Sequence, residues 1–351
     1  MGKKRKQTPQ KSKQRKRSFA KNSPVKTETP SIATDSSKPT SIEPAPIERD
    51  SLGPEEHGIV ISRFGQQVDI ADQDFNTIRC FLRRAKEVPV VGDKATFQRQ
   101  DKLNTGVLVR FEERKSLLKR PTPHHGIKPV AANIDLIALL LAPELGFSEM
   151  LLDRYLVAAE SSNIPVWLIF NKWDLLDEQE KDEIQKRLQT YKDIGYPIYF
   201  ISAKHGHKVE QLVEDLRGKQ LLLAGQSGVG KSTLIKYLFP DLDVATADIS
   251  ENSGLGTHTT TASRLYRLDQ ETFLVDSPGV REFGLWHLED HDIQQGFIEI
   301  YKIAENCKFR DCKHIKEPGC AVLEAAKNGE IAPSRMKNYH HLIQNYDQQF
   351  S

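Results

Sequence analysis

The chain has 351 residues, of which 38% are hydrophobic and 28% charged, enough for two or three domains with buried cores. Its apolar runs, such as residues 136–142, are far shorter than the ~20 residues that a transmembrane helix needs, so we expect no membrane span. The net charge of +2 hides an asymmetry, because residues 1–26 hold 11 Lys or Arg and no acid, whereas the remainder has 39 basic and 48 acidic residues.

Residues 1–54 are rich first in Lys and Arg and then in Pro, Ser and Thr. A segment of this composition cannot bury a core, so the sequence predicts a disordered basic tail and linker. No apolar run follows the basic residues as it would in a secretory signal, and we expect a cytoplasmic protein. A basic arm suits nucleic acid, whose phosphates it would neutralise, but a merely solvated extension stays open.

Short β-rich runs follow, separated by Gly, Asp and Asn turns. Four or five such runs predict a small β-barrel over residues 55–118, and the pattern favours an OB-type barrel over an SH3-like one. Cys80 lies in one of these runs and is predicted to be a buried core thiol. The Pro-, His- and Gly-rich segment 120–133 is interpreted as a linker.

Strands and helices alternate over residues 131–285, which predicts a doubly wound α/β domain. Residues 136–142 form a continuous apolar run, typical of a strand buried on both faces of a parallel sheet. Residues 286–351 are predicted to form a helical region around a cluster of cysteines.

The stretch GQSGVGKST fits the phosphate-binding loop G-x-x-x-x-G-K-[ST], between a predicted strand and a predicted helix. Its backbone N–H groups would hold phosphate oxygens, Lys231 would reach the β and γ phosphates, and Ser232 would bind Mg²⁺. The predicted phosphate-binding residues are Gly225, Gln226, Ser227, Gly228, Val229, Gly230, Lys231, Ser232 and Thr233.

Two further motifs select the base. NKWD ends an apolar strand, and its Asp174 can accept hydrogen bonds from both N1–H and the exocyclic amine of guanine. Adenine lacks this pair of donors and would leave the carboxylate unpaired, so the motif favours GTP over ATP. SAK ends the next strand and would pack against the same base. The predicted guanine-binding residues are Asn171, Lys172, Trp173, Asp174, Ser202, Ala203 and Lys204.

The sequence DSPG, residues 276–279, follows another apolar strand. Asp276 suits a position at Mg²⁺, and the N–H of Gly279 can reach the γ-phosphate. Before it, the polar, glycine-containing segment 254–261 has the character of a switch loop, in which Thr259 or Thr260 would meet Mg²⁺ and the γ-phosphate.

Val280 follows DSPG, where Ras-like GTPases have the Gln that orients the attacking water. Val cannot orient water, so hydrolysis is slow or another group takes this role. His258 in the switch-like loop is the catalytic candidate, although a solvated loop histidine is the other interpretation.

These motifs occur in the order base, base, phosphate, switch, switch, whereas translational GTPases begin with the phosphate loop. The sequence therefore predicts a circularly permuted GTPase domain, since chain ends and loops at a surface allow such rearrangement.

The C-terminal cluster has the spacing C-x4-C-x-H-x5-C. Three thiolates and an imidazole complete a tetrahedral Zn²⁺ site with no open position, so a single structural zinc is expected. Several cations lie within the cluster, and they suit RNA contact, although the loop could simply cap the GTPase domain. The predicted ligands are Cys307, Cys312, His314 and Cys320.

Together, the permuted NKxD, SAK, GQSGVGKS, GxGTHTTT and DSPG motifs, the preceding barrel and the cysteine cluster resemble the small ribosomal subunit biogenesis GTPases (small-ribosomal-subunit-dependent GTPase A) over about residues 55–346. The resemblance implies an OB barrel, a permuted GTPase domain and a zinc-binding region. It also implies association with the small (30S) ribosomal subunit and its 16S rRNA, GTP hydrolysis stimulated by that subunit, and a role in late maturation. We expect a monomer that binds GTP and GDP with Mg²⁺.

Two other functions stay open at this point. One is a permuted GTPase of large-subunit assembly, although such proteins share only the GTPase core. The other is a nucleotide-gated RNA-binding module with little turnover, which Val280 would allow.

Overall fold

The computed structural model describes residues 52–82, 88–100, 104–122, 126–143, 147–240, 263–276 and 288–345. Residues 1–51 of the predicted tail and the switch-like segments 254–261 and 277–280 lie outside these ranges. None of the helices in the described ranges combines the length and apolar character needed to cross a membrane.

Five strands form a closed barrel. They are β1 (Leu52–Phe64), β2 (Gln67–Ala71), β3 (Thr77–Leu82), β4 (Lys94–Gln100) and β5 (Thr105–Phe111). The order β1-β2-β3-β5-β4 closes because β1 pairs with both β2 and β4, and the β3–β5 pair is parallel. This arrangement fits the OB fold. Strand β1 begins at Leu52, within the segment that the sequence assigned to the tail.

Gly58 lies where β1 passes from its pairing with β4 to its pairing with β2. A Cβ atom at this position would lie 2.3 Å from the carbonyl oxygen of Ala71 and 2.7 Å from Cγ2 of Ile70, so only glycine fits. Cys80 is fully buried in the barrel core, and burial raises its pKa to about 12. The prediction of a core thiol is confirmed.

The segment 120–133 is not a simple linker. Strands β6 (Leu117–Thr122) and β7 (Gly126–Ala132) form a two-stranded antiparallel ribbon. Proline lacks the N–H group that a central strand needs, so its presence argued against a strand, but an edge strand tolerates it. The side chain of Asn133 ties the base of the ribbon to the barrel by donating to the carbonyl of Gly92 and accepting from the backbone N–H of Lys115.

Six strands form the sheet of the α/β domain. They are β8 (Leu136–Leu141), β9 (Val166–Phe170), β10 (Ile198–Phe200), β11 (Gln220–Ala224), β12 (Arg264–Arg267) and β13 (Phe273–Asp276). Their order is β10-β9-β8-β11-β13-β12, all parallel except β12. Alternate residues of β8 enter separate apolar clusters on the two faces, as predicted for a doubly buried strand. One bridge, Ser62 to Arg264, joins the barrel to β12.

Eight helices complete the described part of the chain. They are α1 (Glu149–Glu160), α2 (Glu178–Ile194), α3 (Val209–Leu216), α4 (Lys231–Leu238), α5 (Asp290–Gly296), α6 (Ile298–Ala304), α7 (Ala321–Lys327) and α8 (Pro333–Asn345). The last four form the predicted helical region, whose core packs against α1. Gly296 approaches α1 so closely that a Cβ atom there would lie 2.6 Å from Cα of Val157.

A buried ion-pair network fixes the C-terminal helices against α1 and α2. Arg335 in α8 is fully buried, 2.6 Å from the carboxylate of Asp153, and it also donates two hydrogen bonds to Glu299. Asn338 and the hydroxyl of Tyr191 donate to Asp153 as well. Burial raises the pKa of Asp153, and these donors oppose the rise.

Candidate nucleotide and metal sites

The predicted phosphate loop lies between β11 and α4, at the carboxyl end of a central strand. Parallel strands place their ligands at this end, where the strand order changes direction around β8. The first residue of α4 is Lys231, so the N–H groups of the first helical turn face the loop. Ser232 in this turn is half-buried, whereas the side chain of Thr233 is exposed.

Two glycines make the loop close-packed. A Cβ atom on Gly225 would lie 2.5 Å from the carbonyl of Leu140, and one on Gly230 would lie 2.3 Å from Nδ2 of Asn171. Both residues have positive φ, 138° and 95°, which other residues rarely adopt. Ser227 and Gly228 at the tip are exposed. The loop therefore forms a shallow backbone cradle of the kind that holds phosphate oxygens.

The ammonium group of Lys231 donates to the carbonyl oxygens of Gly225 and Gln226, at 2.7 and 2.5 Å. These contacts hold the cation at the mouth of the cradle, next to the exposed N–H groups. A phosphate entering the cradle would meet a positive charge that is already in place, which lowers the ordering cost of binding.

Asn171 connects the predicted base and phosphate loops. It is 2% exposed, its Nδ2 donates to the carbonyl of Val229 at 2.9 Å, and its Oδ1 accepts from the backbone N–H of Ala203 at 2.9 Å. The amide nitrogen and the amide oxygen of Asn171 therefore both form hydrogen bonds within the protein. The asparagine braces the NKWD, SAK and phosphate loops into one unit.

Asp174 is an exposed residue at the mouth of the site, and its side chain is 28% exposed. The hydroxyl of Ser202, together with His205 and Lys204, lowers its pKa, so it is a charged acceptor at neutral pH. The Ser202 hydroxyl is itself buried, and no described group completes a hydrogen bond of normal geometry with it. His205 Nε2 lies 3.4 Å from the Asp174 carboxylate, a contact that the sequence did not predict.

Trp173 was predicted with the guanine-binding residues, but its indole ring is 9% exposed and belongs to the core. It packs against Phe170 and Phe200, with ring centroids 5.7 and 4.4 Å away. Its backbone N–H donates to Ile201. The tryptophan therefore anchors the turn between β9 and α2, whereas the neighbouring Lys172 is half-buried and Asp174 is exposed.

Asp276 is the last residue of β13, beside β11, so its carboxylate and the phosphate loop lie at the same sheet edge. The predicted residues Gly279, His258, Thr259 and Thr260 lie outside the described residues, as does Val280.

The structure brings the predicted metal ligands together. Their ligand atoms all lie within 4.8 Å of one another, and three of the four residues are buried. Cys307 Sγ lies 3.8 Å from Cys320 Sγ and 3.6 Å from His314 Nδ1, which is 3.3 Å from Cys320 Sγ. A tetrahedron with metal–sulfur bonds near 2.3 Å has edges of about 3.8 Å. The four side chains therefore fit one tetrahedral ion.

One side chain outside the cluster contacts the outer nitrogen of His314. The amide nitrogen of Gln294 lies 2.6 Å from Nε2 of His314, while Nδ1 faces the sulfur atoms. Metal-binding histidines typically donate their outer N–H to an acceptor, and the amide of Gln294 supplies one when it is turned to present its oxygen to Nε2. Gln294 is 20 residues upstream, and nothing in the sequence pattern pointed to it.

The fold and both sites can be compared with known proteins. A family model described as RsgA GTPase matches residues 111–286. The small ribosomal subunit biogenesis GTPase RsgA of Haemophilus influenzae (strain PittEE) is 44% identical over 296 residues, covering 84% of this chain and 86% of that protein. The protein of the same name from Shewanella oneidensis is 44% identical over 308 residues, covering 86% of this chain and 87% of that one.

Two solved structures are similar over most of their length. YjeQ from Thermotoga maritima has a TM-score of 0.69 at 32% identity, covering 85% of this chain and 100% of that one. YloQ, described as a circularly permuted GTPase, has a TM-score of 0.68 at 26% identity, covering 85% and 97%. The α/β domain of the present chain is circularly permuted in the same sense, because its phosphate loop follows the base loops.

Proposed function

Because the chain belongs to the RsgA GTPase family, we propose that this GTP-hydrolysing enzyme binds the small (30S) ribosomal subunit and assists its late maturation. The observation that carries the proposal is the brace made by Asn171, which joins two base loops to a phosphate loop. That arrangement suits a guanine nucleotide bound as a unit, and the curated relatives named for small-subunit biogenesis supply the biological setting.

For the nucleotide, the proposal assigns guanine to residues 171–174 and 202–204, and the phosphates to residues 225–233. The buried Ser202 hydroxyl beside Asp174 and the tightly packed glycine cradle support this assignment. Mg²⁺ would be held by Ser232 and Asp276 with the phosphates, and it would neutralise charge that develops on the leaving group.

For the metal, the proposal is one structural Zn²⁺ held by the four C-terminal ligands. The close match between their separations and a tetrahedral edge supports it. Burial raises the pKa of Cys312 to about 12 and lowers that of His314, because both groups are more stable uncharged in the interior. A bound cation would offset the cost of burying the negatively charged thiolates.

For the hydrolytic step, we assign the orientation of water to His258, since Val280 cannot supply it. Thr259 or Thr260 would complete the Mg²⁺ site, and Gly279 would donate its N–H to the γ-phosphate. The free protein is then expected to hydrolyse GTP slowly, and the subunit to accelerate it by ordering the segment 254–261. The expected partner surface is 16S rRNA, bound by a monomer in the cytoplasm.

The test is GTP turnover by the full chain with and without purified small subunits, with large subunits as the matched control. Acceleration by small subunits alone supports the proposal. Acceleration by large subunits alone would favour the large-subunit alternative. GTP-dependent binding to small subunits without any acceleration would favour an RNA-binding module with little turnover.

A further inference from the structure

The metal-binding loop carries an exposed aromatic ring that the nucleotide site does not use. Phe309 is 41% exposed, although it lies only two residues after Cys307 and three before Cys312. These two residues belong to the metal cluster, so the ring stands on a segment that is tied down on both sides. An apolar ring held at a surface by a rigid loop is a suitable platform for a flat ligand.

One cation contacts this ring, and two more are exposed in the same loop. The ammonium group of Lys308 lies 5.5 Å from the centroid of the Phe309 ring. Arg310 and Lys316 are exposed, and within the described residues neither they nor Lys308 form an ion pair. Lys313 differs, because its ammonium group is paired with Asp290 at 2.5 Å.

The acids of the loop offset only part of this positive charge. Glu317 is turned inward, where its carboxylate accepts N–H groups from the backbone of Lys313, Ile315 and Lys316. Burial tends to raise the pKa of Glu317, but these backbone donors outweigh it and lower the pKa to about 2. Asp311 is exposed and offsets part of the charge, but the three cations Lys308, Arg310 and Lys316 outnumber the two acids Asp311 and Glu317, so the loop keeps a net positive charge.

We propose that Phe309, with Lys308, Arg310 and Lys316, binds an unpaired RNA base and its flanking phosphates. The proposal deepens the function proposed above and rests on it for the setting. Stacking on an exposed ring suits single-stranded RNA, whose bases are splayed out, whereas the bases of a duplex are already stacked. The surrounding cations neutralise the phosphates on either side of the stacked base.

The experiment uses the full, metal-loaded chain and a 12-nucleotide single-stranded RNA containing 2-aminopurine, with a 12-base-pair RNA duplex as a second probe. Stacking on a ring quenches 2-aminopurine. Replacing Phe309 by Leu keeps an apolar side chain but removes the ring, so affinity for the single strand should fall between about 5- and 100-fold and the quenching should disappear. Phe309→Tyr should retain both.

The matched control is Phe64→Leu, since Phe64 is 42% exposed but its neighbouring cation Arg79 is already paired with Asp69. Unchanged zinc content in each variant shows that the loop is intact. Equal single-strand affinity and quenching in wild type and Phe309→Leu would overturn the proposal. So would a loss of affinity for intact subunits without any loss for the RNA, which indicates a protein contact. The assay needs neither GTP nor subunits, so its outcome is separate from that of the turnover test.

Discussion

Asn171 and Val229 are 58 residues apart in the chain, yet the amide of the first donates to the carbonyl of the second at 2.9 Å. The other side of the same amide accepts from Ala203. Asn171, which the sequence places with the guanine-binding residues, therefore also supports the phosphate loop.

Asn171→Asp tests this support. The carboxylate keeps the acceptor for Ala203 but faces the Val229 carbonyl with no donor, and an unmet buried polar group costs about 1–3 kcal/mol. Affinities for GTP and GDP should both fall about 10- to 100-fold, as measured by titration of a fluorescent guanine nucleotide. Asn163→Asp is the control, because this exposed residue has positive φ, which Asp also tolerates. Nucleotide affinity equal to that of wild type in Asn171→Asp would contradict the bracing role.

Asp174→Asn should change the choice of base. The amide no longer accepts from both donors of guanine, whereas it can donate to the C2 carbonyl of xanthine. We expect GTP affinity to fall about 10- to 100-fold and XTP affinity to rise by a comparable factor. Asp182→Asn, an exposed change in α2, should leave both affinities as they are. A retained preference for GTP in Asp174→Asn would refute the assignment.

Elemental analysis should find about one zinc per chain. Removing the metal with a chelator should loosen α5 to α8, because all four ligands lie in the connection between α6 and α7, and that connection contacts Gln294 in α5 and His340 in α8. Amide hydrogen exchange should therefore increase in these helices. Cys320→Ser should lose the zinc, whereas Cys80→Ala should keep it, since Cys80 lies in the barrel core. A zinc-free chain with full exchange protection of these helices would count against a structural metal.

Arg335→Met should destabilise the protein by about 3–5 kcal/mol, because it leaves the buried carboxylate of Asp153 without its cation. Denaturant unfolding would measure the loss. In the double variant Asp153→Asn/Arg335→Met the fully buried charge of Asp153 is gone and only that of the partly exposed Glu299 has lost its cation, so part of the loss should be recovered. Arg217→Met removes an exposed arginine that pairs with Glu214, and it should cost no more than about 1 kcal/mol. Equal losses in the double and single variants would show that packing, rather than charge, dominates.

His258→Ala should lower the subunit-stimulated GTP turnover about 100-fold and leave GTP affinity near that of wild type, because its contact belongs to the transition state. Lys231→Ala should instead weaken binding too, since Lys231 lies at the phosphate cradle. If His258→Ala retains the wild-type rate of stimulated turnover, a group other than His258 orients the attacking water.

The barrel predicted from the sequence is confirmed, and the sequence also proposes where a nucleotide would bind, because both inferences depend on local patterns. Alternating strands specify a barrel, and a motif that ends a buried strand must lie at the carboxyl edge of the sheet. Helix α2 was missed, although Asp177 and Glu180 form a capping box at its start. Only three side chains of α2 are buried, and most of the others are charged or polar, so the helical spacing of apolar residues is a weak signal. The buried residues are Ile184, Leu188 and Tyr191.

Long-range contacts could not be predicted in the same way. The pairing of Arg335 with Asp153 spans 182 residues and depends on how α8 packs against α1. The core position of Trp173 likewise depends on Phe200, which comes from a neighbouring strand. A motif assigns its residues to a site, but only packing decides which side chains face a ligand.

The strand order has a consequence for the chain while it is being translated. Strand β8 lies between β9 and β11 in the folded α/β sheet, yet it is synthesised before the other five strands of that domain. Its partner β11 follows roughly 80 residues later, which takes roughly 4–16 s at 5–20 residues per second. Throughout this interval one edge of an entirely apolar strand has no partner, and such edges recruit other strands. The permuted order therefore lengthens the time in which the nascent domain is open to edge-to-edge association.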